Sequence, residues 1–295
     1  MSEEQFRADL AQTQLSPATQ AMMVYEPPIT HTADDEELRI GFRQLPGYAK
    51  PAKHSEFIIG VDARVFDGKG RGIVEWDYHA FLEAAHPYTV IGQRKRLEND
   101  TSVRQYLPYT IISQLQDGRV VYALYQRTKM VGESRLGGLF SIGWGGHPDL
   151  VDLVTGDRPE DSMGHPLNNT VPSPVLNLYE TLRGASDREI HEEINVWDAQ
   201  GKYVFSDLAT RASNLLILDD AVPANWDGKA PPVGQVHVGL IRHATLPVGW
   251  SMDAREQELK FIGFFTIEDL LKYELEPWSK LYVEYSMKPN PEPEA

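Results

Sequence analysis

Residues 109–125 place the tightest constraint on what this chain can fold into. From Tyr109 to Leu115 apolar and polar side chains alternate, Asp117 and Gly118 follow, and Arg119 to Tyr125 alternates again. An Asp-Gly pair between alternating runs predicts a two-residue hairpin, because both residues tolerate the positive φ of a type I′ turn. The two runs are then antiparallel neighbours, and their period of two decides which side chains share a face. Other strand-like runs are EFIIGVDARVF (56–66), LFSIGWGG (139–146), KYVFSDL (202–208), SNLLILDD (213–220), GQVHVGLIRH (234–243) and LKFIGFF (259–265). Helical spacing occurs in WDYHAFLEAA (76–85), around SDREIHEEINVW (186–197), and in TIEDLLKYEL (266–275), which a capping box of Thr266 and Asp269 opens. A last amphipathic segment is PWSKLYVEYS (277–286). Antiparallel hairpins interrupted by single helices predict an α+β architecture rather than a doubly wound parallel sheet.

The rest of the 295 residues divide by composition. Residues 1–55 carry PPITH, an acidic THTADDEEL run and LPGYAKPAKH, and are expected to form an N-terminal extension with short helices near 4–15 and 35–45. The expected main domain is 56–286. Within it, 147–179 is rich in Gly, Pro, Asp and Asn, and a loop of that length inside a compact domain is expected to be functional or disordered. The tail 287–295 is too polar and proline-rich to fold.

Charge and cysteine content narrow the chemistry. With 28 Lys plus Arg against 43 Asp plus Glu the net charge is −15, which argues against a general nucleic-acid coat. It does not argue against a small phosphorylated substrate, because a bound divalent cation can supply positive charge locally. There are no cysteines, which removes disulfides, thiolate nucleophiles, Cys-ligated zinc and iron–sulfur clusters. The acidic start lacks a secretory signal and no apolar run approaches the ~18 residues of a membrane helix. A soluble, cytoplasmic protein is expected.

The run Arg188-Glu189-Ile190-His191-Glu192-Glu193-Ile194-Asn195-Val196 holds the candidate chemistry. On a helix, Glu189 lies three residues from Glu192 and four from Glu193, spacings that share a face. Ile190, Ile194 and Val196 are expected on the other side as the packing anchor. Hard oxygen ligands at this density suit Mg²⁺ or Mn²⁺. The plain alternative is a solvated acidic face with Arg188 paired to Glu192.

This run resembles the core of the Nudix box, G-x5-E-x7-R-E-U-x-E-E-x-G-U with U bulky and apolar. Arg188, Glu189, Ile190, Glu192, Glu193 and Val196 match, and Glu180 stands eight residues before Arg188 where the pattern has its upstream glutamate. Asn195 replaces the glycine after the paired glutamates, where it is expected to serve as a left-handed helix end. Pro174 stands at the first glycine by strict counting, and that role is expected to pass to Gly145 or Gly146. Segments around Arg96, Gln105–Tyr109, Tyr125–Arg127, Gly132–Leu136, Ser141–His147, Val233–Gly239 and Glu276–Ser279 resemble a subgroup of uncharacterised predicted Nudix phosphoesterases.

The resemblance implies an α/β/α sandwich in which a mixed sheet carries the box helix. It implies hydrolysis of a pyrophosphate bond in a nucleoside diphosphate linked to another moiety. Glu189, Glu192 and Glu193 would hold Mg²⁺ or Mn²⁺, and Arg188 would hold a box glutamate in place. Arg127, Arg135, Gly145 and Gly146 would bind the phosphates. A glutamate outside the box would act as base, with Glu258, Glu256, Glu133 and Glu180 as candidates. His147 and His237 lack a spacing partner such as HxxxH and are expected to be structural. Trp144 is expected to stack a base or to pack in the core, and Trp278 to pack in the core. Homodimerisation is left open. A Nudix-fold binding or regulatory module without turnover is the second reading. An isomerase of allylic diphosphates is a third, disfavoured in its thiol-dependent forms by the absence of cysteine.

Overall fold

A computed structural model describes residues 57–128, 137–156, 175–204, 208, 210–222, 228 and 230–288. The expected helices near 4–15 and 35–45, the tail beyond 288, and Glu133 and Arg135 lie outside them.

Strand β1 (Phe57–Asp62) ends where the Asp62 carboxylate accepts the Arg64 N–H at 2.9 Å and turns the chain into a short 3₁₀ helix. The strand expected over 56–66 is therefore shorter. Strand β2 (Gly72–Glu75) and helix α1 (Tyr78–Ala85) follow, the helix capped by Asp77, which accepts from Ala80 N at 2.9 Å. Then come β3 (Thr89–Gln93), the single turn α2 (Arg94–Leu97), β4 (Val103–Gln116) and β5 (Arg119–Arg127). Between the last two, Asp117 and Gly118 adopt φ of 48° and 74°, the conformation that the hairpin demands.

Two short strands, β6 (Phe140–Ser141) and β7 (Gly143–Trp144), edge this hairpin. Strands β8 (Thr155–Gly156) and β9 (Val175–Leu176) pair with each other and lead into α3 (Leu178–Glu193). The C-terminal part holds β10 (Ile194–Trp197), β11 (Thr210–Leu218), β12 (His237–Leu246), β13 (Ser251–Ala254) and β14 (Leu259–Phe265). It closes with α4 (Ile267–Leu270) and α5 (Pro277–Ser286). Helix α4 is capped by Thr266 as its sequence predicts, but it spans one turn rather than ten residues.

The main sheet runs β14-β5-β4-β12-β11-β2, with β1 also on β4 and β3 on β1. Its pairings are antiparallel except β4 with β12, which run parallel from Gln105–His237 to Gln114–Leu246. A mixed sheet with helices on both faces is an α+β sandwich. The long central strand β4 shows the layering. Tyr106 and Ile112 pack with residues of α1 and α3, while Tyr109 and Ile111 pack with Trp278, Tyr282 and Val283 of α5. Successive side chains of a strand point to opposite faces, so one strand feeds both cores. No helix of the described residues is long and apolar enough to cross a membrane.

Two expectations around the acidic run need correction. The helix begins at Leu178, eight residues before the expected start, because the Asn177 side chain accepts the Glu180 N–H at 3.1 Å and caps it. It ends at Glu193, so Ile194 and Val196 belong to strand β10. Ile194 is extended (φ −129°, ψ 154°), and Asn195 is not among the residues at positive φ. No left-handed residue closes this helix: the backbone passes straight into a strand paired with β13.

Candidate functional site

The site grows from the C-terminal half of α3. Leu178, Leu182, Ala185 and Ile190 form the buried stripe of the helix, and Glu193 continues that stripe only 7% exposed. Glu193 therefore does not project into solvent from a face opposite Ile190, as its spacing suggested; it shares the inner face. Its Oε2 accepts the Gly145 N–H at 2.6 Å. Burial above all pushes its carboxyl up to about 8, with the Glu189 charge adding to the rise; the Arg127 guanidinium and the Gly145 N–H oppose it. Glu189 is pushed up to about 7, again chiefly by burial, with Arg188 acting against it. Glu192 is half exposed at 53%.

The glycine pair is fitted around these carboxylates. Gly145 has φ 134°, and a Cβ there would stand 2.3 Å from the Pro108 carbonyl oxygen, so this position requires glycine. A Cβ at Gly146 would stand 2.3 Å from Glu189 Oε2. Backbone and carboxylate thus meet with no side chain between them.

Arg188 ties the loop to the helix. Its Nη1 lies 2.8 Å from Glu189 Oε1 and 3.1 Å from Glu192 Oε2. Its Nε and Nη2 grip Asp152, and Nη2 also donates to the His147 carbonyl at 3.1 Å. Asp152 sits in the stretch read as a long loop, 36 residues from Arg188, and no sequence motif marks it. The turn between β13 and β14 closes the end of the helix. Arg255 N donates to the Glu193 carbonyl at 2.7 Å, and Arg255 Nη1 to the His191 carbonyl at 3.0 Å. This turn brings Glu256 to the carboxylate cluster, with Glu258 beside Glu256. The Glu256 carboxyl is raised first by burial, then by the charges of Glu258 and Glu192.

Arg127, at the end of β5, joins the site through the sheet. Its Nη2 donates to the Tyr125 hydroxyl at 3.0 Å, and its Nε is buried without a hydrogen-bond partner. Behind it stands the buried carboxylate of Glu276, which the sequence marks only as part of the Glu276–Ser279 segment. Glu276 Oε1 accepts from Tyr109 Oη at 2.8 Å and Ser141 Oγ at 2.6 Å, and its Oε2 lies 3.9 Å from Arg127 Nε. Glu180 lies nine residues before Glu189, the nearest member of the cluster, which at 1.5 Å per residue is roughly 13.5 Å along the helix axis.

His147 and His237 face each other, Nε2 to Nε2 at 2.9 Å, and His237 Nδ1 is held at 2.6 Å by the Val233 carbonyl oxygen. This is the arrangement of a structural pair. Trp144 is fully buried against Tyr125, with ring centroids 4.3 Å apart, and Trp278 packs in the other core.

Among the described residues no group of three or more histidine, aspartate or glutamate side chains is placed to hold a metal ion. Glu189, Glu192 and Glu193 are hard oxygen donors in the last two turns of one helix. Donors of this type suit Mg²⁺, which keeps several waters and is commonly shared with substrate phosphates. Burial favours the neutral forms of Glu189 and Glu193, and a divalent cation beside them would favour the charged ones.

The chain resembles the protein Tm1382, a candidate Nudix hydrolase, at 19% identity, covering 79% of this chain and 98% of that one with a TM-score of 0.50. The chain has the Nudix fold. No protein-family model matches it. Protein YmaB of Bacillus subtilis (strain 168) is 24% identical over 196 residues, which are 65% of this chain and 75% of YmaB. In the Nudix fold of this chain the acidic helix is α3, the glycine pair follows β7, and the Arg255–Glu258 turn leads into β14.

Proposed function

We propose that this chain is a Mg²⁺- or Mn²⁺-dependent pyrophosphohydrolase acting on a nucleoside diphosphate linked to another moiety. The observation that carries the reading is the pair of desolvated carboxylates, Glu189 and Glu193, pressed against the Gly145–Gly146 backbone. Glu189, Glu192 and Glu193 would hold the cation, which supplies charge neutralisation for the diphosphate and acidifies a bound water. Arg188 fixes Glu189 and Glu192 from the side. Arg127, whose buried Nε lies 3.9 Å from Glu276 and makes no hydrogen bond, would take a phosphate oxygen, since a guanidinium clamps phosphate in a fork. The glycine pair, which carries no side chain beside the carboxylates, would let the substrate approach closely. Glu256 or Glu258 accepts the proton of the attacking water; both stand on the turn that closes α3, and a base must come within about one water of the reacting atom.

The test is a metal-dependent hydrolysis screen over dinucleotides, nucleotide sugars, modified nucleoside triphosphates and capped RNA ends. Glu192→Gln and Glu193→Gln are expected to lose activity by orders of magnitude. Unchanged turnover in both would remove the assignment, and nucleotide binding without turnover at any Mg²⁺ or Mn²⁺ concentration would favour a binding module. Glu256→Gln and Glu258→Gln, compared through their pH–rate profiles, identify the base.

A further inference from the structure

Asp152 belongs to no motif, yet it is buried to 5% exposure beside the candidate site. Its carboxylate takes Arg188 as a fork, Oδ1 from Nε at 2.9 Å and Oδ2 from Nη2 at 2.8 Å. Oδ2 also accepts the Asp149 N–H at 2.8 Å, which anchors the carboxylate to its own turn. With Nε and Nη2 committed to Asp152, and Nη2 also to the His147 carbonyl, only Nη1 of Arg188 reaches the helix carboxylates. That nitrogen contacts one oxygen of Glu189 and one of Glu192. A guanidinium released from Asp152 has a stronger geometry to hand, because forked pairs with a carboxylate exceed single contacts. It would take both oxygens of Glu189 or of Glu192.

We propose that Asp152 is a positioning residue that holds two edges of Arg188, restricts it to single contacts with Glu189 and Glu192, and so keeps their remaining oxygens available to a divalent cation. The proposal rests on the reading of Glu189, Glu192 and Glu193 as cation ligands. It assigns a role in cation affinity to a residue 36 positions upstream of Arg188. Groups of this kind behind a metal site commonly change affinity by about 10–100-fold when removed.

The experiment is Mn²⁺ titration of the full chain without substrate, followed by electron paramagnetic resonance of free Mn²⁺, with folding monitored by circular dichroism. Asp152→Asn is expected to weaken Mn²⁺ binding at least tenfold. Asp152→Glu keeps the charge and is expected to bind Mn²⁺ more tightly than Asp152→Asn. In an Arg188→Gln background Asp152→Asn is expected to add no further loss, because its effect passes through the guanidinium. Wild-type affinity in Asp152→Asn overturns the proposal, as does a loss of equal size in the Arg188→Gln background, which would make Asp152 a support of the loop alone. An Asp152→Glu variant no better than Asp152→Asn also overturns it. The cation reading is judged separately, by wild type and Glu193→Gln. If wild type takes up no Mn²⁺, that reading and this proposal fall together; if Glu193→Gln loses binding while Asp152→Asn does not, only this proposal falls.

Discussion

Replacing Gly146 by alanine separates packing from chemistry. A Cβ at this position would stand 2.3 Å from Glu189 Oε2, 2.6 Å from its Cδ and 2.9 Å from Oε1. Gly146 is not among the glycines at positive φ, so the backbone accepts alanine without strain. Ordinary contact distances of about 3.5 Å then require the carboxylate to retreat by about 1 Å. The carboxylate ends a flexible side chain, so the cost to folding should lie near the low end of overpacking, about 1 kcal/mol. For the site the same displacement is severe, because misplacement of about 1 Å at a reacting centre costs roughly 10²-fold in rate. Urea unfolding of Gly146→Ala is therefore expected to shift only slightly, while metal-dependent hydrolysis falls about a hundredfold. A variant with wild-type kcat and wild-type Mn²⁺ affinity would refute the reasoning, and so would a variant whose lost activity merely tracks its unfolded fraction.

Gly143→Ala should behave in the opposite way. Its Cβ would fall within 2.2 Å of three Tyr109 ring atoms, and that ring is pinned through its hydroxyl to Glu276 and Ser279 at 2.8 and 2.7 Å. Urea unfolding should show a loss of about 3 kcal/mol, the upper end of overpacking; a loss below about 1 kcal/mol would mean that the ring moves freely. The site also predicts a pH dependence. Burial raises the folded-state pKa of Glu193 from 4.5 to about 8 and of Glu189 from 4.5 to about 7, so the fold favours their neutral forms. Their contribution to stability is complete below about pH 4.5 and is lost as pH rises through 7 and 8. Without divalent cation, Tm should fall between pH 5 and pH 9, Glu193→Gln should flatten that slope, and Mg²⁺ should restore Tm at pH 9. A Tm profile that Glu193→Gln leaves unchanged would contradict the burial of this carboxyl.

What the sequence determined by itself is local. The Asp117-Gly118 hairpin forms because two adjacent residues tolerate positive φ between alternating runs, and Thr266 caps its helix because the capping partner is three residues away. The spacing of Glu189, Glu192 and Glu193 on one helix is likewise fixed by the helix repeat. The interruption of strands by single helices is enough to predict an α+β architecture, and the resemblance to the Nudix box adds the sandwich. Other features depended on partners distant in the chain. The parallel pairing of β4 with β12 joins residues more than a hundred positions apart, and no local pattern encodes which strands become neighbours. Strands β2, β3 and β13 are short, so alternation within them is too brief to stand out. The helix end at Glu193 was misread because Asn195 suits a left-handed cap by type, whereas pairing with β13 draws the backbone into a strand. For the candidate site, sequence supplied the carboxylates and tertiary structure supplied their environment. Only packing against the sheet makes Glu193 a buried carboxylate, sets Gly145 and Gly146 against the acidic helix, and gives Arg188 its partner in Asp152. Burial and long-range hydrogen bonds arise when distant segments meet, and it is burial that turns an acidic helical turn into two carboxyls with raised proton affinity.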